Sequence, residues 1–239
     1  MTKPTVCFSM HCHAGDVDNL YLNFNNIYKS HEYDFDEVII NHQRCEIPDN
    51  NIDATKRIIR EEDYGPLLAK YGIDINDKRA IEITHDSAHY FTNHCVNHLN
   101  TLSKSDCTYI VFSDSDCVMI NNNNWIDKAI EVLESDPNIL IVCPSEGLPG
   151  KNQIMSQQLF ICNRKRLSNI DFNCWDGKFI DGGPMASCYV MLEGRVGMYM
   201  LQENLYRLVL PNEVGYYYHD WEHIKEPKEL HNLAMEKLK

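Results

Sequence analysis

Apolar and polar positions along this chain fall into two alternating kinds of block. Short β-prone runs end in polar loops, and longer stretches carry apolar residues three and four apart. Thr5 to Met10 reads as a first buried strand, ending in the polar loop Met10-His11-Cys12-His13-Ala14-Gly15. From Asp16 to Tyr28, Val17, Leu20, Tyr21, Phe24 and Ile27 make one helical stripe. Glu37 to Ile40 is a second strand followed by Asn41-His42-Gln43-Arg44, and Pro48 to Asn51 is a turn. Ile52 to Tyr71 reads as largely helical, interrupted at Gly65-Pro66, and Ala80 to Thr84 as the third strand.

His85-Asp86-Ser87 has the character of a helix N-cap. Beyond it Ala88, Phe91, Cys95, Leu99 and Leu102 form a narrow apolar stripe with His94 and His98 on its border. Tyr109 to Ser113 is the fourth strand, Asn121 to Asn124 a polar link, and Trp125 to Glu134 a helix with Ile126, Ala129, Ile130 and Leu133 inward. Ile139 to Val142 is the fifth strand, Gly147 to Asn152 a loop, and Met155 to Cys162 a further strand. Asp181-Gly182-Gly183-Pro184 opens a helix whose Met185, Tyr189, Leu192, Val196 and Tyr199 share a face. Val214 to Tyr218 is a last strand, and a charged helix is expected from Pro227 onward. This alternation predicts an α/β, Rossmann-like domain with a mostly parallel central sheet and helices on both faces. In such sheets ligands bind beyond the carboxyl ends of the strands, which is where the polar loops fall.

Composition narrows the choice of ligand. The 239 residues, 44% of them hydrophobic, suffice for one core and one domain. A net charge of −13 excludes a typical nucleic-acid binder, which needs a basic surface. It also opposes any anionic ligand unless a metal or local cations offset the field. The ten cysteines form no C-x-x-C pair, and several sit in apolar runs as small hydrophobes, the usage of a reducing compartment. The amino-terminal residues lack the apolar segment of a signal peptide, and no run reaches the ~18 apolar residues of a membrane span. A soluble, cytoplasmic protein without a transmembrane segment is expected.

The chemistry concentrates where the fourth strand ends. Asp114 and Asp116, separated by Ser115, follow a run of apolar residues. Carboxylates rarely end a buried strand without a partner, because an ionised carboxylate out of water costs several kcal/mol. Two of them make an oxygen-rich site for Mg²⁺ or Mn²⁺, which in turn suits a diphosphate. The plainer alternative is a polar turn.

Asp114-Ser115-Asp116 resembles the Asp-x-Asp motif of nucleotide-sugar-dependent glycosyltransferases of the GT-A fold, in the company of family 2. The resemblance implies one GT-A domain over residues 1–239, with 1–120 as the nucleotide-sugar-binding half. Residues 121–239 would be the acceptor-side half and tail. It implies that Asp114 lies near the ribose and metal, that Asp116 is the direct metal ligand, and that Met10, His11, Asn41, Arg44 and Ser115 lie where the family contacts the donor. Asn97-His98 stands where family 2 enzymes often carry an Arg-Asn pair; a histidine replaces that arginine only as a weaker, pH-dependent donor. His219, with His223 second, is the candidate third metal ligand. Asp181 is the candidate base, with Glu193 in reserve, although Asp181 also suits a helix cap. Gln157, Gln158, Trp175, Gly182 and Gly183 are candidates for shaping an acceptor site. The implied reaction is metal-dependent transfer of a sugar, of hexosyl type and with inversion, from a nucleoside diphosphate to a glycan or other hydroxyl acceptor. Two rivals are a nucleotidyltransferase acting on sugar phosphates and a non-catalytic carbohydrate-binding protein on a decayed transferase fold. The first expects a Gly-rich basic loop after the first strand, whereas His11 to Gly15 holds one glycine and no Lys or Arg.

Overall fold

Strand β1, Val6–Cys12, lies between β2, Glu37–His42, and β4, Tyr109–Asp114, and runs parallel to both. The computed structural model describes residues 3–12, 29–42, 57–59, 98, 101–114, 117–145, 150–152, 158–168, 192–219, 232–233 and 236. β3, Arg57–Ile59, adds to β2 in parallel. Then follow β5, Cys117–Asn122, and helix α1, Trp125–Ser135. β6 is Ile139–Cys143, β7 is Gly150–Asn152, and β8 is Leu159–Asn163. The remaining labelled elements are α2, Arg164–Ser168, α3, Leu192–Gln202, β9, Tyr206–Val209, and β10, Gly215–His219.

Among the described residues, eight strands form one sheet in the order β3-β2-β1-β4-β8-β6-β9-β7. β8 is antiparallel to both β4 and β6, β9 is parallel to β6, and β7 is antiparallel to β9. β1 to β4, β6 and β9 therefore share one direction, and β8 and β7 oppose it. The sheet is mostly parallel, as the alternation of blocks predicts. β5 and β10 pair antiparallel in a separate two-stranded ribbon.

Burial on both faces explains why the strands read as continuous apolar runs rather than alternating ones. On one face Val6, Phe8, Val111, Ile161 and Val142 pack against Trp125, Ile126, Ala129 and Leu133 of α1. On the other, Cys7, Ile39, Ile110, Phe160 and Ile141 pack with Leu102 and with Val196 and Met200 of α3. Helices thus cover both faces; α1 buries the stripe its spacing predicts, and of the stripe predicted around α3 Val196 is buried and Tyr199 half-buried. Asn124 enters α1 at φ 54°, a left-handed conformation that asparagine tolerates better than most residues. No helix among the described residues is long and apolar enough to cross a membrane.

Several sequence expectations need correction. Arg57–Ile59, expected within a helix, is a strand, because pairing with Ile39–Asn41 outweighs the local helical spacing. Gly150–Asn152, expected as loop, pairs with β9 as an edge strand. Asn121 and Asn122, expected as a link, end β5 opposite Tyr216 and Gly215. β9 and α2 were not anticipated. The expected helix over Asp16–Tyr28, strand over Ala80–Thr84 and helix entry at Asp181–Pro184 lie outside the described residues.

Gly215 seats β10 against the core. A Cβ built there would lie 2.8 Å from Trp125 Cβ and 3.1 Å from Pro144 Cβ. Gly215→Ala is expected to cost about 1–3 kcal/mol through overpacking. Thermal denaturation checks this; an unchanged Tm would show that Trp125 and Pro144 give way freely.

Candidate active site

The site is built from the carboxyl ends of three adjacent strands. Tyr109 to Ser113 are buried and Asp114 is half-buried, so β4 leaves the core at its first carboxylate. Ile39 of β2, Ser9 of β1 and Phe112 of β4 form one register row. Two residues further on, the next row with the same phase of the pleat is Asn41, His11 and Asp114. Asn41, His11 and Asp114, from three polar stretches singled out from sequence, thus meet at one edge as strand residues. The reason is the parallel arrangement of β2, β1 and β4, whose carboxyl ends necessarily fall together.

The far side of Asp114 is closed by Gln158, the residue before β8. The Asp114 N–H donates to the Gln158 carbonyl at 2.8 Å, and the Ser113 hydroxyl donates to the Asp114 carbonyl at 2.9 Å. The Cys117 thiol also donates to the Gln158 carbonyl, at 3.4 Å. The Tyr217 hydroxyl donates to Gln158 Oε1 at 3.1 Å. β10 meanwhile runs back along β5 until His219 stands opposite Cys117. His219 therefore lies across the ribbon from the residue that directly follows Asp116.

The other predicted residues are distributed as follows. Met10, named among the donor contacts, is fully buried on the α1 face. His98 is also buried, its ring 4.7 Å from that of Phe112 and stacked on Phe160 at 5.8 Å. It lies below the Asp114 row, inside the core. Glu193 belongs to the first turn of α3. Arg44, Asn97, Ser115, Asp116, Asp181 and His223 lie outside the described residues, as do Gln157, Trp175, Gly182 and Gly183. Tyr217 was not singled out from sequence. The available signal was its place two residues before His219, which puts the two positions in phase on one strand.

Among the described residues no group of three or more His, Cys, Asp or Glu side chains is placed to hold a metal. The residue types at 114, 116 and 219 are nonetheless suited to a divalent cation. Carboxylates at 114 and 116 supply hard oxygens, and an imidazole at 219 is acceptable to Mn²⁺. Five buried cysteines are poor metal or redox groups. Cys7, Cys107, Cys117, Cys143 and Cys162 are buried thiols outside any disulfide. Burial raises the thiols of Cys7, Cys107 and Cys162 above their ordinary range, keeping them protonated.

Behind the ribbon, His31 ties the segment before β2 to β5 and α1. The Trp125 indole N–H donates to His31 Nδ1 at 3.3 Å. The Asn122 side-chain amide donates to the Ser30 carbonyl at 3.1 Å and also to the His31 carbonyl. With Nδ1 accepting, the ring hydrogen sits on Nε2, which has no hydrogen-bond partner among the described residues. Phe8 and Phe35 complete the aromatic surroundings, at 5.1 and 6.0 Å between centroids. Burial lowers the His31 pKa to about 3, so the ring is neutral at physiological pH.

No protein-family model matches the chain, and no curated protein matches it. Among solved structures the chain is similar to the mannosyltransferase PcManGT from Pyrobaculum calidifontis in complex with GDP-Man and Mn²⁺, at 12% sequence identity and a TM-score of 0.47. The match covers 90% of this chain and 57% of that one, so the chain spans just over half the length of that structure.

Proposed function

We propose that the chain is a glycosyltransferase of the GT-A type that moves a sugar from a nucleoside diphosphate to a hydroxyl acceptor with a divalent metal. The observation that carries this reading is the convergence of Asn41, His11 and Asp114 in one register row with His219 opposite Cys117. It brings backbone from both ends of the chain to Asp114 and Cys117, the residues that flank Ser115 and Asp116. In this reading Asp116 and His219 hold the metal with Asp114, and His223 stands in reserve. A bound Mn²⁺ or Mg²⁺ neutralises charge on the departing diphosphate. His11, Asn41, Arg44, Asn97 and Ser115 orient the donor, while Met10 and His98 support them from within the core. Residues 1–120 form the donor half of one domain and 121–239 the acceptor half.

Inversion requires a base that removes the acceptor proton while its oxygen attacks the anomeric carbon opposite the leaving group. Asp181 fills that role, with Glu193 as the alternative carboxylate. Asp181→Asn is expected to retain donor binding and lose transfer; unchanged turnover would exclude Asp181. The reading as a whole is tested by thermal shift with a panel of nucleoside diphosphates and their sugars, with and without Mn²⁺. Stabilisation by at least one nucleotide only when Mn²⁺ is present is the expected result, since a ligand of the native state raises Tm by mass action. No response across the panel would contradict it.

A further inference from the structure

Gln158 bonds to three separate elements beside Asp114. Its carbonyl oxygen receives both the Asp114 N–H at 2.8 Å and the Cys117 thiol at 3.4 Å. Residues 114 and 117 flank Ser115 and Asp116 in sequence, so a single acceptor holds the residue on either side of that pair. The side chain of the same residue takes the Tyr217 hydroxyl at 3.1 Å. Tyr217 is buried, is opposite Met119 in the ribbon, and lies two residues before His219. One residue therefore links the end of β4, the start of β5 and the strand that carries His219.

We propose that Gln158 and Tyr217 form a positioning clamp that fixes the spacing between the backbone of Asp114 and Cys117, on either side of the acidic pair's second carboxylate, and the strand that carries His219. The clamp rests on the reading of that acidic pair as a metal site. Metal ligands need orienting partners beyond those that touch the ion, because a ligand set free to drift loses affinity without losing any donor atom. Backbone pairing in β5 and β10 fixes the ribbon itself. Ser145, directly after β6, holds the other side of β10 through backbone bonds with Gly215 and Tyr217, and the Gln158–Tyr217 bond adds a side-chain tie from β10 to the start of β8 beside Asp114. Neither residue supplies a donor to the metal, so their loss is felt as misplacement of the residues that do.

The test is Mn²⁺ alone, titrated into the full chain and read by the loss of the free-ion paramagnetic signal, beside the unfolding midpoint without metal. Tyr217→Phe removes only a hydroxyl, and Gln158→Leu removes only the side-chain amide while keeping the backbone carbonyl. Each is expected to weaken Mn²⁺ binding about 3–30-fold, somewhat less than the loss of a partner in direct contact with a ligand. Tyr206→Phe serves as control: its hydroxyl bonds Asn204 at 2.8 Å on the distant edge of β9, and its removal is expected to leave Mn²⁺ binding unchanged. Variants that bind Mn²⁺ as the parent does would overturn the clamp while leaving the metal reading in place. Equal weakening by Tyr206→Phe would overturn it too, by showing general loosening. A parent without affinity for Mn²⁺ would sink the metal reading, and the clamp with it.

Discussion

Asp116→Ala is expected to abolish the Mn²⁺-dependent response to nucleotides and to lower turnover by roughly 10³-fold or more. That factor corresponds to the several kcal/mol a divalent cation supplies to a departing diphosphate. The loss should fall on binding as well as turnover, because the same ion holds the donor's phosphates before the reaction starts. Fold stability should change little or rise, since removing one carboxylate relieves repulsion with Asp114 in a chain of net charge −13. Thermal denaturation and donor titration on the same preparation separate the two effects. If Asp116→Ala turns over like the parent, the acidic pair is only the end of a strand.

Acid should loosen this fold through His31. Its folded pKa, about 3, lies below the unfolded value near 6.5, so the unfolded chain binds the extra proton. The stability contributed by the neutral ring is therefore complete above pH 6.5. It falls by about 1.4 kcal/mol for each unit the pH drops below that, until the pH approaches 3. No carboxylate that pairs with the protonated ring is found among the described groups packed on it: Phe8, Phe35 and Trp125 are uncharged, and Trp125 presents a donor to Nδ1. Protonation of Nδ1 would turn the Trp125 contact into two facing donors. His31→Phe fits the same aromatic surroundings but leaves the indole N–H unpaired, a cost of about 1–3 kcal/mol at neutral pH. Below pH 6 the gap between parent and variant should close. Urea unfolding at pH 7.5, 6 and 5 measures it; a gap that stays constant with pH would show that His31 is not the acid-sensitive group.

The legibility of the sequence tracked how much of each element's identity was local. α1 was readable because Ile126, Ala129, Ile130 and Leu133 keep one helical phase, and all are buried. β1, β4, β6 and β8 were readable because residues 6–8, 109–112, 139–143 and 159–162 are unbroken apolar runs that bury side chains on both faces. β3, β7 and β9 were not, since short edge or near-edge strands owe their state to the neighbour they pair with. In β9 the signal was only the alternation of Tyr206 and Leu208 toward one face with Val209 toward the other. At the site, the row through Asn41, His11 and Asp114 followed from reading strand ends in a parallel sheet. Gln158 was read as an amide for an acceptor, yet its described bonds run to Asp114, Cys117 and Tyr217. A sequence shows the amide but not the backbone carbonyl that binds the turn. Met10 and His98 were read as donor contacts from the family resemblance, Met10 for its place after the first strand and His98 for its interval before Asp114. Pleating turns Met10 into the core, and helix packing carries His98 onto Phe112 and Phe160.

The most direct measurement is a crystal structure of the chain with Mn²⁺ and a nucleoside diphosphate that stabilises it, with data collected at the manganese absorption edge. The account predicts one anomalous peak at the carboxyl end of β4, ligated by Asp116 and His219 and touching both phosphates. A nucleotide bound elsewhere, or a peak with neither residue in its coordination shell, would contradict it.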